Sequence, residues 1–83
     1  MALYTLSYDL RKQRDYQKLY DELKKFNAIR ILESIWCFNR FNTSASGLRD
    51  HFTQFMDSDD GLLVTEVNDW ATYNTLGNPK QLK

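Results

Sequence analysis

The order of hydrophobic patterns along the chain is the feature that most constrains its fold. Residues 2–9 alternate like a half-buried strand, whereas residues 14–26 place apolar side chains at intervals of three, four and seven, as a helix does. A β-branched and aromatic stretch at 28–41, a second helical pattern at 43–56 and a strand at 62–67 follow. Strands separated by helices at this length predict an α+β sandwich. The right-handed crossover rule makes it the ferredoxin-like βαββαβ fold, an antiparallel sheet with two helices on one face.

The central stretch, residues 28–41, leaves its own geometry open. It is longer than an average strand and contains neither proline nor glycine. It is therefore either one long bent strand or two strands joined at Glu33–Ser34.

The alternation in the first strand is clearer. Tyr4, Leu6 and Tyr8 share one face, and the opposite face is more polar. We expect the face with Tyr4, Leu6 and Tyr8 to pack beneath the helices.

The chain is short for the number of aromatic side chains that it carries. Its 83 residues make one domain, which would bury only about 60% of the surface exposed on unfolding. Twelve aromatic residues are more than one compact core needs, so we expect some of them to cover a second copy in a homodimer. The folded domain is assigned to residues 1–70. Residues 71–83 are predicted to form a C-terminal tail that packs on the sheet edge or on the partner.

Charge and cysteine content exclude several classes of protein. A net charge of zero excludes a protein that finds nucleic acid by bulk charge alone, yet residues 11–30 carry seven basic and three acidic side chains. The single cysteine, Cys37, excludes an intrachain disulfide and predicts a reducing, cytoplasmic location. Together with a single histidine, His51, it excludes the usual structural zinc site. No apolar run approaches the ~20 residues that span a bilayer, so we predict no membrane partner.

Four basic residues near the end of the first strand are candidates for nucleic-acid binding. Arg11, Lys12 and Arg14 follow Asp9 in a predicted loop, and Lys18 lies one helical turn beyond. Basic side chains position phosphates, and duplication across a dimer would turn this cluster into a basic stripe for RNA or DNA. The alternative is a solvated loop and helix face.

Other polar and reactive side chains receive structural interpretations. His51 lies on the apolar stripe of the second helix and is predicted to be a boundary histidine with one hydrogen-bonded nitrogen rather than a general base. Cys37 is predicted to be a buried small hydrophobic residue. The acidic run 57–60 with Gly61 lacks the later glutamate of a calcium loop, and it predicts a turn that terminates the helix.

Three segments of the chain resemble a known superfamily. They are YTLSYDLRK, RILESIW and GLLVTEVNDW, and the resemblance spans about residues 2–70. The superfamily contains the small CRISPR-associated adaptation protein and virulence-associated protein D. Its first strand typically ends in an aromatic residue, an aspartate and an aliphatic residue, as Tyr8-Asp9-Leu10 does here. Its second sheet segment carries a serine before an apolar–aromatic pair, as in Ser34-Ile35-Trp36, and Asn68-Asp69-Trp70 is similar to the end of the last strand of virulence-associated protein D.

The resemblance implies a ferredoxin-like homodimer in which the two first-strand aspartates face each other across the two-fold axis. Some members cleave RNA or double-stranded DNA with a divalent metal, and others hold DNA for an integrase without catalysis. Carried onto this chain, the resemblance implies Asp9 as catalytic metal ligand, with Mg²⁺ as the metal, and Ser34 as a catalytic residue near it. Mg²⁺ takes only one or two protein carboxylates, so one aspartate from each of two chains would meet its minimum. The alternative for Asp9 is a surface pair with a neighbouring arginine, and for Ser34 a strand-bend or interface serine.

Two functions from different classes follow. The first is nucleic-acid processing or binding of the CRISPR-adaptation or virulence-associated-D type, with metal-dependent endonuclease activity on RNA or DNA. Asp9 of both chains would then hold the metal, and Arg11 and Arg14 would contact phosphates. The second is a non-catalytic dimeric interaction module, a toxin–antitoxin or phage-type regulator with a protein partner, in which Asp9 is structural.

Overall fold

A computed structural model of the chain describes residues 1–11 and 16–82. Its elements, in chain order, are β1 (Ala2–Asp9), α1 (Gln17–Lys25), β2 (Ile29–Leu32), β3 (Ile35–Arg40), α2 (Ala45–Phe52) and β4 (Gly61–Val67), with short 3₁₀ turns at Thr53–Phe55 and Pro79–Gln81. The predicted order of strands and helices is confirmed. Within the described residues no helix is both long and apolar enough to cross a bilayer.

The four strands form one sheet in the order β2-β3-β1-β4, with every neighbouring pair antiparallel. This order confirms the predicted α+β class with ferredoxin-like topology. The stretch at 28–41 is two strands, because Glu33 and Ser34 form a turn after which Ile35 pairs back with Leu32. A register shift between Arg30 and Leu32 marks a bulge just before this turn.

The core lies between one face of the sheet and the two helices. Tyr4, Leu6 and Tyr8 of β1 are buried at 1%, 0% and 8% exposure, as the alternation predicted. They join buried side chains of α1, β3 and α2 in one cluster: Leu19, Leu23, Trp36, Phe38, Leu48 and Phe52. Each such burial contributes about 1.5–3 kcal/mol of transfer free energy. The other face of the sheet carries neither of these helices, and we call it the open face.

Local signals account for where the helices begin and end. Ser44 caps α2, since its hydroxyl accepts a hydrogen bond at 3.1 Å from the backbone nitrogen of Gly47. Helix α1 carries Lys24 and Lys25 in its last turn, which suits the helix dipole. The chain then turns through Asn27, whose φ of 56° lies in the left-handed region that asparagine tolerates.

The segment after β4 reaches the opposite edge of the sheet. The backbone nitrogen of Leu76 donates to the carbonyl oxygen of Ile31 in β2 at 2.8 Å. Gly77 approaches β2 so closely that a Cβ there would lie 2.7 Å from the carbonyl oxygen of Arg30. Asn78 then caps the last 3₁₀ turn, with its side chain accepting from the nitrogen of Lys80. The outer edge of β2 is therefore hydrogen-bonded to residue 76 of the same chain.

Candidate nucleic-acid site at the end of the central strand

Asp9 is the last residue of β1, a central strand of the sheet, and it pairs with Gly61 of β4. Because Tyr8 points into the core, alternation directs Asp9 to the open face. Its side chain is 70% exposed. Although Asp9 ends a core strand, its carboxylate is therefore exposed to solvent and carries no large cost of burial.

Arg11 forms an ion pair with Asp9. Its Nε donates to Oδ2 of Asp9 at 3.1 Å, and its own side chain is 60% exposed. The backbone nitrogen of Arg11 donates to Oδ1 of Asp60 at 2.9 Å, and its Nη1 donates to the carbonyl oxygen of Asp59 at 3.4 Å. Gly61 makes room for this guanidinium, because a Cβ there would lie 2.8 Å from Nη2 of Arg11. The acidic turn thus holds Arg11 beside Asp9.

The acidic turn at 57–60 is a structural feature, as predicted. The backbone nitrogen of Asp57 donates to Oδ2 of Asp60 at 2.9 Å, and the nitrogen of Asp60 donates to the carbonyl oxygen of Asp57 at 3.1 Å. These bonds close the turn and present Asp60 to Arg11. The local composition predicted the turn, but it did not predict the hydrogen bond between Asp60 and Arg11.

Asp9 is an oxygen ligand of the kind that Mg²⁺ prefers. Among the described residues there is no group of three His, Cys, Asp or Glu side chains that could hold a metal ion. Mg²⁺ keeps several waters and needs only one or two carboxylates. Asp9 pairs with Arg11, and a carboxylate from a second copy is one way to complete a magnesium site on this residue.

Ser34 and Asp9 lie on the walls of the same cleft. The carbonyl oxygen of Ser34 accepts from the backbone nitrogen of Tyr8 at 3.2 Å, which sets the β2–β3 turn beside the end of β1. The cleft has a volume of about 320 Å³. We call it the Asp9 cleft, and its lining residues are Tyr8, Asp9, Leu10, Tyr16, Tyr20, Arg30, Glu33 and Ser34.

A cation–aromatic network also lines the Asp9 cleft. Nη2 of Arg30 donates to the hydroxyl of Tyr20 at 2.9 Å, and the hydroxyls of Tyr20 and Tyr8 lie 3.0 Å apart. The carbonyl oxygen of Glu33 accepts from Nε of Arg30 at 3.0 Å, and from Nη2 as well. Burial is the main cause that raises the pKa of the Tyr8 phenol to about 12, so this hydroxyl keeps its proton and donates to Glu33.

Arg30, Tyr16 and Tyr20 are the site residues that sequence reasoning missed. The helical pattern at 14–26 includes both tyrosines among its apolar positions, and Arg30 is one of the seven basic residues at 11–30. One signal was present, since tyrosines four residues apart share a helix face and project beside each other. Their proximity to Arg30 depends on how α1 packs against β2, which no local sequence pattern encodes.

The four predicted phosphate-binding residues do not form one described cluster. Arg11 lies beside Asp9. Lys18 is exposed and lines a separate small cavity with Leu10 and two carboxylates of the acidic turn, Asp57 and Asp60. Lys12 and Arg14 lie outside the described residues.

His51 and Cys37 take structural positions, as expected. Nε2 of His51 lies 2.6 Å from Oε2 of Glu22, whose side chain is only 11% exposed. This confirms a boundary histidine with one hydrogen-bonded nitrogen, although its buried acidic partner was not predicted. Cys37 is fully buried, and burial raises the pKa of its thiol to about 11.

Comparison with known families agrees with this architecture. The family described as CRISPR associated protein Cas2 matches residues 1–75, which include the sheet, both helices and the Asp9 cleft. No solved structure is significantly similar to the chain. Because the match covers most of the 83 residues, the chain belongs to the CRISPR associated protein Cas2 family.

Proposed function

We propose that this chain acts as a homodimer that binds nucleic acid and hydrolyses its phosphodiester bonds with Mg²⁺ held between the Asp9 carboxylates of two copies. Family membership makes the chain a nucleic-acid-processing protein of CRISPR adaptation, and the proposal adds the reaction and its residues. The observation that supports it most is the position of Asp9. It ends a central strand on the open face, with a carboxylate that is 70% exposed and available to a second copy.

In this proposal each residue of the site has a separate task. Asp9 supplies one oxygen ligand per chain, and bound Mg²⁺ would supply a Lewis acid for a phosphoryl oxygen. Arg11 exchanges its contact with Asp9 for a phosphate oxygen, which its exposed guanidinium can reach without unfolding the acidic turn. Ser34 lines the same cleft and would offer its hydroxyl to the bound strand. The lone buried thiol of Cys37 suits a reducing, cytoplasmic setting.

One observation favours a different class of function. The Asp9–Arg11–Asp60 contacts join the end of β1 to the turn before β4, so Asp9 also serves the fold. On that basis the second candidate is a non-catalytic dimeric interaction module, of the toxin–antitoxin or phage-regulator kind. In it the carboxylate only positions Arg11.

A cleavage assay with a matched control separates the two candidates. End-labelled RNA and duplex DNA are incubated with wild-type protein in Mg²⁺, Mn²⁺ or EDTA, alongside Asp9→Asn and Asp50→Asn. Asp50 is the control because it is 71% exposed and accepts from an arginine, Arg49, at 3.0 Å, almost as Asp9 does. We expect metal-dependent cleavage by wild type and Asp50→Asn, and none by Asp9→Asn.

Other outcomes decide against the proposal. Cleavage that survives in Asp9→Asn removes Asp9 from the reaction. Absence of cleavage by wild type in every condition favours the interaction module. Light scattering of wild type then tests the dimer that both candidates require. A titration of nucleic-acid affinity against salt tests phosphate contacts, because binding without them has no salt slope.

A further inference from the structure

We infer that the Asp9 cleft binds one unpaired nucleobase, so that the nucleic acid is single-stranded or locally opened where it meets Asp9. The inference rests on the proposed function only in taking the ligand to be nucleic acid. It adds which part of that ligand enters the cleft and which residues hold it.

The size of the cleft suits one nucleobase. Its volume of about 320 Å³ falls at the lower end of the range for small-molecule sites. A base pair within a duplex is larger and is stacked on both faces, so it cannot enter without opening. A base that has left its stack can.

The walls carry the groups that hold unpaired bases in other proteins. Tyr16 and Tyr20 stack with ring centroids 5.6 Å apart and planes 26° from parallel. The guanidinium of Arg30 lies 5.0 Å from the centroid of Tyr20 and 5.7 Å from that of Trp36. Single-stranded RNA and DNA are bound by stacking of bases on such aromatic rings and guanidinium planes.

Arg30 is fixed in place and keeps donors for a ligand. Its hydrogen bonds to described residues use Nε and Nη2, which contact Glu33 and Tyr20, and they leave Nη1 without an acceptor. A guanidinium held in this way loses little conformational entropy when it binds a base carbonyl. Ser34 adds a second hydrogen-bonding group on the same cleft.

The charge of the cleft favours a base over a phosphate. Its described lining includes two carboxylates, Asp9 and Glu33, and one guanidinium, Arg30. A phosphate inside it would meet two like charges at close range, whereas a neutral base would meet none. We therefore place the base in the cleft and the flanking phosphate outside it, toward the exposed guanidinium of Arg11.

The experiment measures binding in EDTA, so that cleavage plays no part. Fluorescence anisotropy compares a labelled oligothymidine, the same strand in a duplex, and an abasic strand of equal length. The variants are Tyr16→Ala and Arg30→Lys, and the control is Arg40→Lys. Arg40 also places its guanidinium over an aromatic ring, 3.9 Å from the centroid of Phe26, but outside the Asp9 cleft. Both lysine variants keep the charge and lose the planar fork.

We expect wild type to bind oligothymidine more tightly than the duplex or the abasic strand. Tyr16→Ala and Arg30→Lys should each weaken binding to oligothymidine about five- to a hundredfold, the range for the loss of one base-stacking contact, while Arg40→Lys leaves it unchanged. The inference would be overturned if the abasic strand bound as tightly as oligothymidine, or if both cleft variants bound oligothymidine with wild-type affinity.

A second measurement uses only the wild-type protein, in case a cleft variant fails to fold. In an NMR titration with the dinucleotide TpT, we expect shifts at the side-chain Nε of Arg30 and the rings of Tyr16 and Tyr20. Saturation without such shifts contradicts the inference.

The base-binding site and the nuclease activity can be refuted independently. If cleavage depends on Asp9 but not on Tyr16 or Arg30, the proposed nuclease activity stands and the base-binding site is refuted. If binding depends on the base but no cleavage occurs, the base-binding site stands and the nuclease activity is refuted. No binding to any nucleic acid removes both.

Discussion

Replacement of His51 by alanine should destabilise the protein through a buried carboxylate at the other end of a short hydrogen bond. Nε2 of His51 lies 2.6 Å from Oε2 of Glu22, and the Glu22 side chain is 11% exposed. Lys25 Nζ is the other cation near this carboxylate, at 3.7 Å from Oε1, and its side chain is 75% exposed. His51→Ala would remove the hydrogen-bonding partner of Glu22 Oε2.

The size of the effect follows from two losses. A buried acceptor without its partner costs about 1–3 kcal/mol. The His51 ring also packs against Phe26, Phe52 and Phe55, at centroid distances of 5.5, 5.2 and 5.5 Å, and loss of a partly exposed ring adds about 1 kcal/mol. We therefore expect the free energy of unfolding to fall by about 2–4 kcal/mol. This is a large share of the roughly 4–12 kcal/mol expected for a domain of this length.

Urea unfolding of a double-mutant cycle measures this coupling. The cycle uses His51→Ala, Glu22→Gln and the double variant, and the control cycle uses Arg49→Ala and Asp50→Asn. The control pair shares the helix of His51 and is 3.0 Å apart, but its side chains are 57% and 71% exposed. We expect a coupling free energy above about 1 kcal/mol for Glu22–His51 and at most about 0.5 kcal/mol for Arg49–Asp50. Equal couplings, or a loss below about 0.5 kcal/mol for His51→Ala, would refute the reasoning.

Three further predictions concern the site and the core. Asp9→Asn should change the free energy of unfolding by at most about 1 kcal/mol, because the Asp9–Arg11 pair is 70% and 60% exposed; a larger loss in urea unfolding would make Asp9 a folding residue. The thiol of Cys37 should react with a thiol reagent near neutral pH only as fast as the protein opens, since it is fully buried and burial raises its pKa to about 11; rapid labelling of the folded protein would contradict this. Stability should fall as pH rises from about 9 toward 12, because the unfolded chain releases the protons of Cys37 and Tyr8 at pKa 9.0 and 10.0, whereas burial raises the pKa values of the folded chain to about 11 and about 12. Tyr8→Phe should flatten the upper part of that loss, and an unchanged slope would exclude Tyr8 as its cause.

The fold was predictable where one local pattern decided it. The alternation at Tyr4, Leu6 and Tyr8 gave the correct core face, because a strand has only two faces and one of them is covered. The second helical pattern at 43–56 was likewise local, and Ser44 caps the helix that it predicted. The turn at Glu33–Ser34 was one of two alternatives, and the choice stayed open because the turn lacks glycine, proline and asparagine. In the folded chain the guanidinium of Arg30 donates to the carbonyl oxygen of Glu33 in this turn.

The candidate site was predictable only in part, because its geometry depends on contacts between distant segments. Asp9 and Arg11 are two residues apart, and their pairing could be anticipated. The bond from the backbone of Arg11 to Asp60 spans 49 residues, and that between His51 and Glu22 spans 29. Such pairs follow from strand order and helix packing, which a local pattern does not specify. For that reason the tyrosines and Arg30 of the cleft became visible as a site only in the folded chain.

The claim at the centre of the proposed function is that two copies of Asp9 share one metal ion. A titration of Mn²⁺ followed by electron paramagnetic resonance, on protein whose oligomeric state is measured in the same buffer, tests it most directly. We expect one bound ion per pair of chains for wild type and for Asp50→Asn, and no bound ion for Asp9→Asn. Binding that persists in Asp9→Asn, or a wild type that remains monomeric and binds no Mn²⁺, would contradict it.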